Sequence, residues 1–80
     1  MIKDDDISVA IAQTIKEFRA KKEYSQIDLA EESGIHRTMI EKIETSNRRP
    51  TLHTIIKICS GLSISLSDFS KRLEEILEKK

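Results

Sequence analysis

The sequence has a single cysteine, Cys59, which excludes an internal disulfide. With only His36 and His53 beside it, thiolate and imidazole ligands do not reach the four that a structural zinc site takes, so no metal is expected and a reducing compartment is. Two glycines are too few for either common Gly-rich phosphate loop, each of which needs two or three at fixed spacing. Nucleotide-dependent chemistry is therefore not expected, and no cofactor is. No apolar run approaches the ~20 residues of a membrane span. The opening Met-Ile-Lys-Asp-Asp-Asp has the wrong charge for a secretory signal, so the expectation is a soluble, cytoplasmic protein without a membrane partner. Nor is there an excess of charge of one sign: 14 basic and 14 acidic side chains cancel. Their distribution does not cancel. Residues 1–35 carry five basic and eight acidic side chains, residues 36–57 five and two, and residues 58–80 four and four. Only the middle stretch is basic.

What is present is helical periodicity. Eighty residues bury only roughly 60% of the surface exposed by the unfolded chain, enough for one core, so residues 1–80 are read as a single domain. No segment alternates with the period of two that marks a half-buried strand, and the expected fold is all-α, a compact five-helix domain. Helix 1 carries Ile7, Ile11, Ile15 and Phe18 on one stripe, is capped by a carboxylate from Asp4 to Asp6 or by Ser8, and ends near Lys22. Ser25 caps a short helix over 26–32, Gly34 stops it in a left-handed turn, and a third helix runs from Arg37 to about Thr45. The only proline, Pro50, closes the polar loop Ser46-Asn47-Arg48-Arg49. Thr51 caps helix 4, whose apolar face comprises Leu52, Ile55, Ile56, Cys59 and Leu62, with Gly61 near its end. Ser65 and Asp68 resemble a capping box for helix 5, lined by Leu66, Phe69, Leu73 and Ile76.

Residues 26–45 are thus two short helices joined by a tight turn. Ala30 is small where helices cross, Gly34 supplies the turn, and Leu29, Ile35, Ile40 and Ile43 anchor the pair. With Ile40 and Ile43 facing inward, Arg37, Thr38, Glu41 and Lys42 form the exposed polar edge of helix 3. Gln26, Ala30, Gly34, Ile35, Ile40 and Ile43 resemble, at every spacing, the helix-turn-helix signature of the phage-repressor-like (Cro-like, XRE) DNA-binding proteins. The resemblance extends over about residues 12–70, through Ile15, Phe18 and Arg19 on one side and Glu44, Arg48, Pro50, Leu52 and the stretch 62–69 on the other. Two departures are Ser33, where an apolar residue is common, and His36, where a Ser or Thr cap is common. The acidic run Asp4–Asp6 and the extension of helix 5 past Phe69 lie outside the pattern.

The resemblance implies a transcription regulator, not an enzyme, that places helix 3 in the major groove of double-stranded DNA. Arg37 then donates a bidentate pair to guanine, Thr38 meets a thymine methyl or a phosphate, Lys42 reaches guanine or phosphate, and Glu41 accepts from cytosine. Glu41 ranks last, because a carboxylate among phosphates is repelled unless it is paired. Ser25, Gln26, Asn47, Arg48 and Arg49 are expected on phosphates; the alternative for the two arginines is a solvated loop. Arg19 and Glu44 match a pair that ties helix 1 to the end of helix 3. Proteins of this type read two half-sites as homodimers. A dimerisation helix over 66–79 is expected, with Leu73, Ile76 and Leu77 as its interface once Leu66 and Phe69 close the monomer core. No small-molecule effector is evident, and the Arg37-Thr38 pair, the loop Asn47-Arg48-Arg49 and the stand-alone length resemble controller proteins of restriction-modification systems. The competing reading, suggested by zero net charge and Glu41, is a helical interaction adaptor or antitoxin-type module with the same fold and no dominant DNA-binding function.

Overall fold

The computed structural model describes residues 2–79, and in it five α-helices are joined by short turns. They are α1 (Asp4–Lys21), α2 (Gln26–Ser33), α3 (Arg37–Glu44), α4 (Leu52–Leu62) and α5 (Leu66–Glu78). No strand occurs among the described residues. Helix α2 packs on α4, while α1 packs on both α3 and α5. The core between them is formed by Ile15, Leu29, Ile40, Ile43, Ile55, Ile58, Cys59, Leu62 and Phe69, so every helix contributes at least one anchor. Phe18 and Phe69 stack at 6.5 Å between centroids, fastening α1 to α5. Burial pushes the Cys59 thiol pKa up, which keeps it protonated and inert.

Local chemistry explains most helix boundaries. Ser25 and Asp28 close a reciprocal capping box at α2: the Asp28 N–H donates to Ser25 Oγ at 3.0 Å and the Ser25 N–H donates to Asp28 Oδ2 at 2.9 Å. Thr51 Oγ1 and Ser65 Oγ accept from Thr54 N–H and Asp68 N–H at the starts of α4 and α5. Helix α1 differs from expectation. Its cap is Lys3, whose side chain makes no capping bond, and Asp4, Asp5 and Asp6 all lie in the first turn, where the helix dipole favours negative charge without a specific hydrogen bond. Ile7 is exposed, and the buried positions of α1 are Ala10, Ala12, Thr14 and Ile15. Thr14 is satisfied internally, its Oγ1 donating to the Ala10 carbonyl at 2.7 Å.

In α4 the glycine lies where the sequence placed it, and two apolar positions do not. Gly61 is the last but one residue of the helix, near its end as expected, and Ser63 is the left-handed cap at φ +56°. The glycine is needed for space: a Cβ at Gly61 would stand 2.8 Å from the Ser33 Cβ and 2.9 Å from its backbone. Ser33, at a position where an apolar residue is common in the family pattern, is buried against this point, and its hydroxyl accepts from Ile35 N–H. Helix α2 therefore crosses α4 closely at Ser33 and Gly61. Leu52 and Ile56, assigned to the inward face, are 64% and 49% exposed; burial on α4 follows Ile55, Ile58, Cys59 and Leu62.

Candidate nucleic-acid interface

Helix α2 ends at Gly34, whose φ of +73° lies in the left-handed region, and its N–H donates to the Ala30 carbonyl at 3.0 Å. The side chain of Lys57 is the nearest group to a Cβ at this position, at 3.7 Å, so backbone conformation rather than room calls for glycine. The chain turns through Ile35 and starts α3 on a cap that the sequence did not reveal: His36 Nδ1 accepts from Thr38 N–H at 3.1 Å. An imidazole nitrogen thus does what a serine or threonine hydroxyl commonly does. A lone histidine before a helix gives no warning of this, since the tautomer and ring orientation are set only by the folded backbone.

Ile40 and Ile43 are buried on the inner face of α3, and Met39 packs against the core from its flank. Arg37, Thr38, Glu41 and Lys42 are all exposed on one edge. Arg37 Nη1 and Glu41 Oε2 lie 3.4 Å apart, one helical turn along that edge. After Thr45 the chain reverses at Ser46, which adopts φ +64°, and Asn47 N–H returns to the Lys42 carbonyl at 2.8 Å. Asn47 Nδ2 also donates to Thr45 Oγ1, so this residue braces the turn while remaining exposed. Arg48 is exposed and makes no ion pair among the described residues. Arg49 is exposed as well, with Nη2 3.4 Å from Asp4 Oδ2 at the start of α1. The acidic run that fell outside the family pattern therefore touches the loop that follows α3.

Under this edge lies a charged cluster. Arg19 Nε and Nη2 donate to Glu44 Oε2 and Oε1 at 2.9 and 2.8 Å, and Arg19 Nη1 donates to the Tyr24 carbonyl at 2.8 Å. Gln26 Nε2 also donates to Glu44 Oε1, at 3.1 Å. The side-chain amide of Gln26 is thereby turned toward the cluster, a correction to the expectation that it faces outward, because the buried carboxylate has acceptor capacity that Arg19 does not fill. Ser25 likewise has an internal task, as the α2 cap.

The interface expected on α5 is corrected at Ile76. Ile76 is 5% exposed and Leu73 packs against the core, while Leu77 is half-buried beside Ile2, Glu74 and Glu78. Helix α5 folds back along α1, secured by Arg72 donating to Glu17 at 2.7 and 3.1 Å, so Ile76 is buried within the monomer while Leu73 and Leu77 stay partly exposed. The apolar side chains left open beyond α3 are Leu52 and Ile56 on α4 and Leu66 at the start of α5.

Two short helices in this relation, held from behind by isoleucines and presenting a polar edge, define a helix-turn-helix protein. The chain belongs to the helix-turn-helix family HTH_3, of XRE type, whose pattern matches residues 15–69. It is similar to Control protein C.SmaI of Serratia marcescens, with 38% identity over 61 residues, covering 76% of this chain and 73% of that protein. Its fold matches the crystal structure of the wild-type restriction-modification controller protein C.Esp1396I with a TM-score of 0.87 and 31% identity, over 92% of this chain and 95% of that one. The C.Esp1396I tetramer in complex with its natural 35 base-pair operator matches with a TM-score of 0.86 and 30% identity, over 90% and 95% of the respective chains.

Proposed function

We propose that this chain is a sequence-specific, double-stranded-DNA-binding transcription regulator of the controller type, acting in the cytoplasm by placing α3 in the major groove of an operator. The observation that carries the reading is the two-faced character of α3, with Ile40 and Ile43 buried and Arg37, Thr38, Glu41 and Lys42 exposed. The operator complex of the similar C.Esp1396I supports it. Arg37 donates two parallel hydrogen bonds to guanine O6 and N7; Thr38 and Lys42 make the flanking contacts. Asn47, Arg48 and Arg49 neutralise phosphates and set the register, joined by the N-terminus of α2 at Ser25 and Gln26. The role is binding and not catalysis.

One α3 reads too few bases for a tight site, and a homodimer presents two of them about one DNA turn apart. The surface that supports this is Leu52, Ile56 and Leu66, in place of the buried Ile76 on α5. Leu52, Ile56, Ser60 and Ser63 follow one another near helical spacing, so small residues continue the apolar patch and let a second copy approach closely. Selection of sites from a random duplex library tests the whole reading: two similar half-sites about one turn apart are expected, and sedimentation of Ile56→Glu should give monomers. No enriched sequence in low-salt buffer refutes DNA recognition; one half-site alone refutes the dimer.

A further inference from the structure

We infer that Glu41 is a positioning and specificity-setting residue, one that holds the Arg37 guanidinium and so makes the pair, rather than Arg37 alone, the reader of a base pair. The inference rests on the proposed entry of α3 into the major groove. Its observation is the approach of Arg37 Nη1 to Glu41 Oε2 at 3.4 Å, with the two side chains 49% and 54% exposed.

Stability does not account for this pair. Acid before base at a spacing of four is the favourable order on a helix, and here the order is reversed, with the cation at the first residue of α3, next to the positive end of the helix dipole. Both groups are well solvated, where such pairs contribute little. The contrast with Glu44, three residues on, is direct: that carboxylate is 3% exposed and satisfied from three donors of Arg19 and Gln26. Glu41 stands at the edge that meets the duplex, where an unpaired carboxylate is repelled by phosphates on both sides of the groove.

Paired, the same carboxylate becomes useful. An unrestrained arginine at the start of α3 can swing to the nearest phosphate, a contact that carries no sequence information. Glu41 opposes that excursion, because leaving it exposes its own charge to the backbone. It occupies one N–H of a group that has five, and leaves donors for the O6 and N7 acceptors of guanine. Sequence preference at that base pair rises, and affinity for unrelated DNA falls.

The test compares the wild type with Glu41→Gln, Glu41→Ala, Arg37→Ala and the double variant Arg37→Ala with Glu41→Ala. The probes are a duplex selected from a random library and the same duplex changed one base pair at a time. Far-UV circular dichroism and Tm should be unchanged in all four. Glu41→Gln and Glu41→Ala should bind unrelated duplex more tightly, with a log–log salt slope steeper by about one. They should also lose discrimination by about tenfold at the single base pair whose preference Arg37→Ala abolishes. In the double variant discrimination should be no lower than in Arg37→Ala. If Arg37→Ala relaxes one position and both Glu41 variants keep the wild-type ratio there, the inference is overturned while the groove reading stands. If Arg37→Ala leaves every position unchanged, the assignment of Arg37 as a reader fails instead.

Discussion

Glu44, at the last residue of α3, is bound by Arg19 of α1 through two hydrogen bonds of 2.8 and 2.9 Å, and its side chain is 3% exposed against 21% for the arginine. The pair fixes the end of the recognition helix to the longest helix of the fold, and the third Arg19 donor ties the same guanidinium to the Tyr24 carbonyl in the turn before α2. Breaking a buried pair from one side leaves the other charge without a partner, at about 3–5 kcal/mol. Glu44→Ala should therefore lower the free energy of unfolding by roughly 3 kcal/mol, and Glu44→Gln by less because it keeps acceptor and shape. Urea titration provides the measurement. DNA affinity should fall in the same order as stability, and an unchanged midpoint for Glu44→Ala would contradict the assignment of this pair as the clamp on α3.

Gly61 should tolerate no side chain. A methyl group there meets the Ser33 Cβ at 2.8 Å and backbone atoms that cannot rotate away, at the crossing of α2 and α4. Gly61→Ala is expected to destabilise by about 1–3 kcal/mol despite the better helix propensity of alanine, since overpacking outweighs the ~1 kcal/mol gained in the helix. Thermal denaturation of Gly61→Ala beside Ser60→Ala, one residue away on the exposed side, separates the two effects. A higher Tm for Gly61→Ala would mean that the two helices separate freely.

The periodicity of Ile15, Leu29, Ile40, Ile43, Ile55, Cys59, Leu62 and Phe69 was enough to set five helices around one core, because in a chain this short every anchor must point the same way. The caps Ser25, Thr51 and Ser65 and the turn at Gly34 were legible for a similar reason: each satisfies a local backbone requirement that no distant residue can change. Long-range geometry was not legible. Nothing local says that α5 lies back along α1 and covers Ile76, that Ser33 faces Gly61, or that Asp4 reaches Arg49 across 45 residues. The polar edge of α3 follows from two inward isoleucines, whereas its ion pair and its histidine cap depend on side-chain rotation that the pattern of residues does not encode.

Acid should unfasten α5 from α1. The hydrogen bonds from Arg72, and then that from Gln13, pull the Glu17 carboxyl from its ordinary 4.5 down to about 2. A carboxyl whose pKa is lower when folded releases its proton more readily in the native state, so its contribution is complete above the unfolded value and is lost as pH falls from about 4.5 toward 2. Arg72→Met should reduce stability at neutral pH and flatten the dependence through that window, so that the two proteins converge near its acid end. Urea midpoints at closely spaced pH values check this. Parallel curves would show that Glu17 titrates alike in the folded and unfolded chains.

Arg49 and Asp4 form an exposed pair, so in the proposed complex the phosphate backbone must compete with a carboxylate for this guanidinium. Asp5 and Asp6 add negative charge in the same first turn of α1. Removing the competitor should strengthen DNA binding without touching the bases. Asp4→Asn is expected to raise affinity for selected and unrelated duplexes alike, by at most about fivefold, the ceiling set by the small energy of a solvent-exposed ion pair. Arg49→Ala should weaken both alike and lower the salt slope by about one. With Arg49 already replaced, adding Asp4→Asn should recover only the general repulsion between Asp4 and the backbone, a smaller gain than in the wild-type background. Fluorescence anisotropy at several salt concentrations measures all three. Equal gains in the two backgrounds would show that Asp4 acts through overall charge and not by holding Arg49.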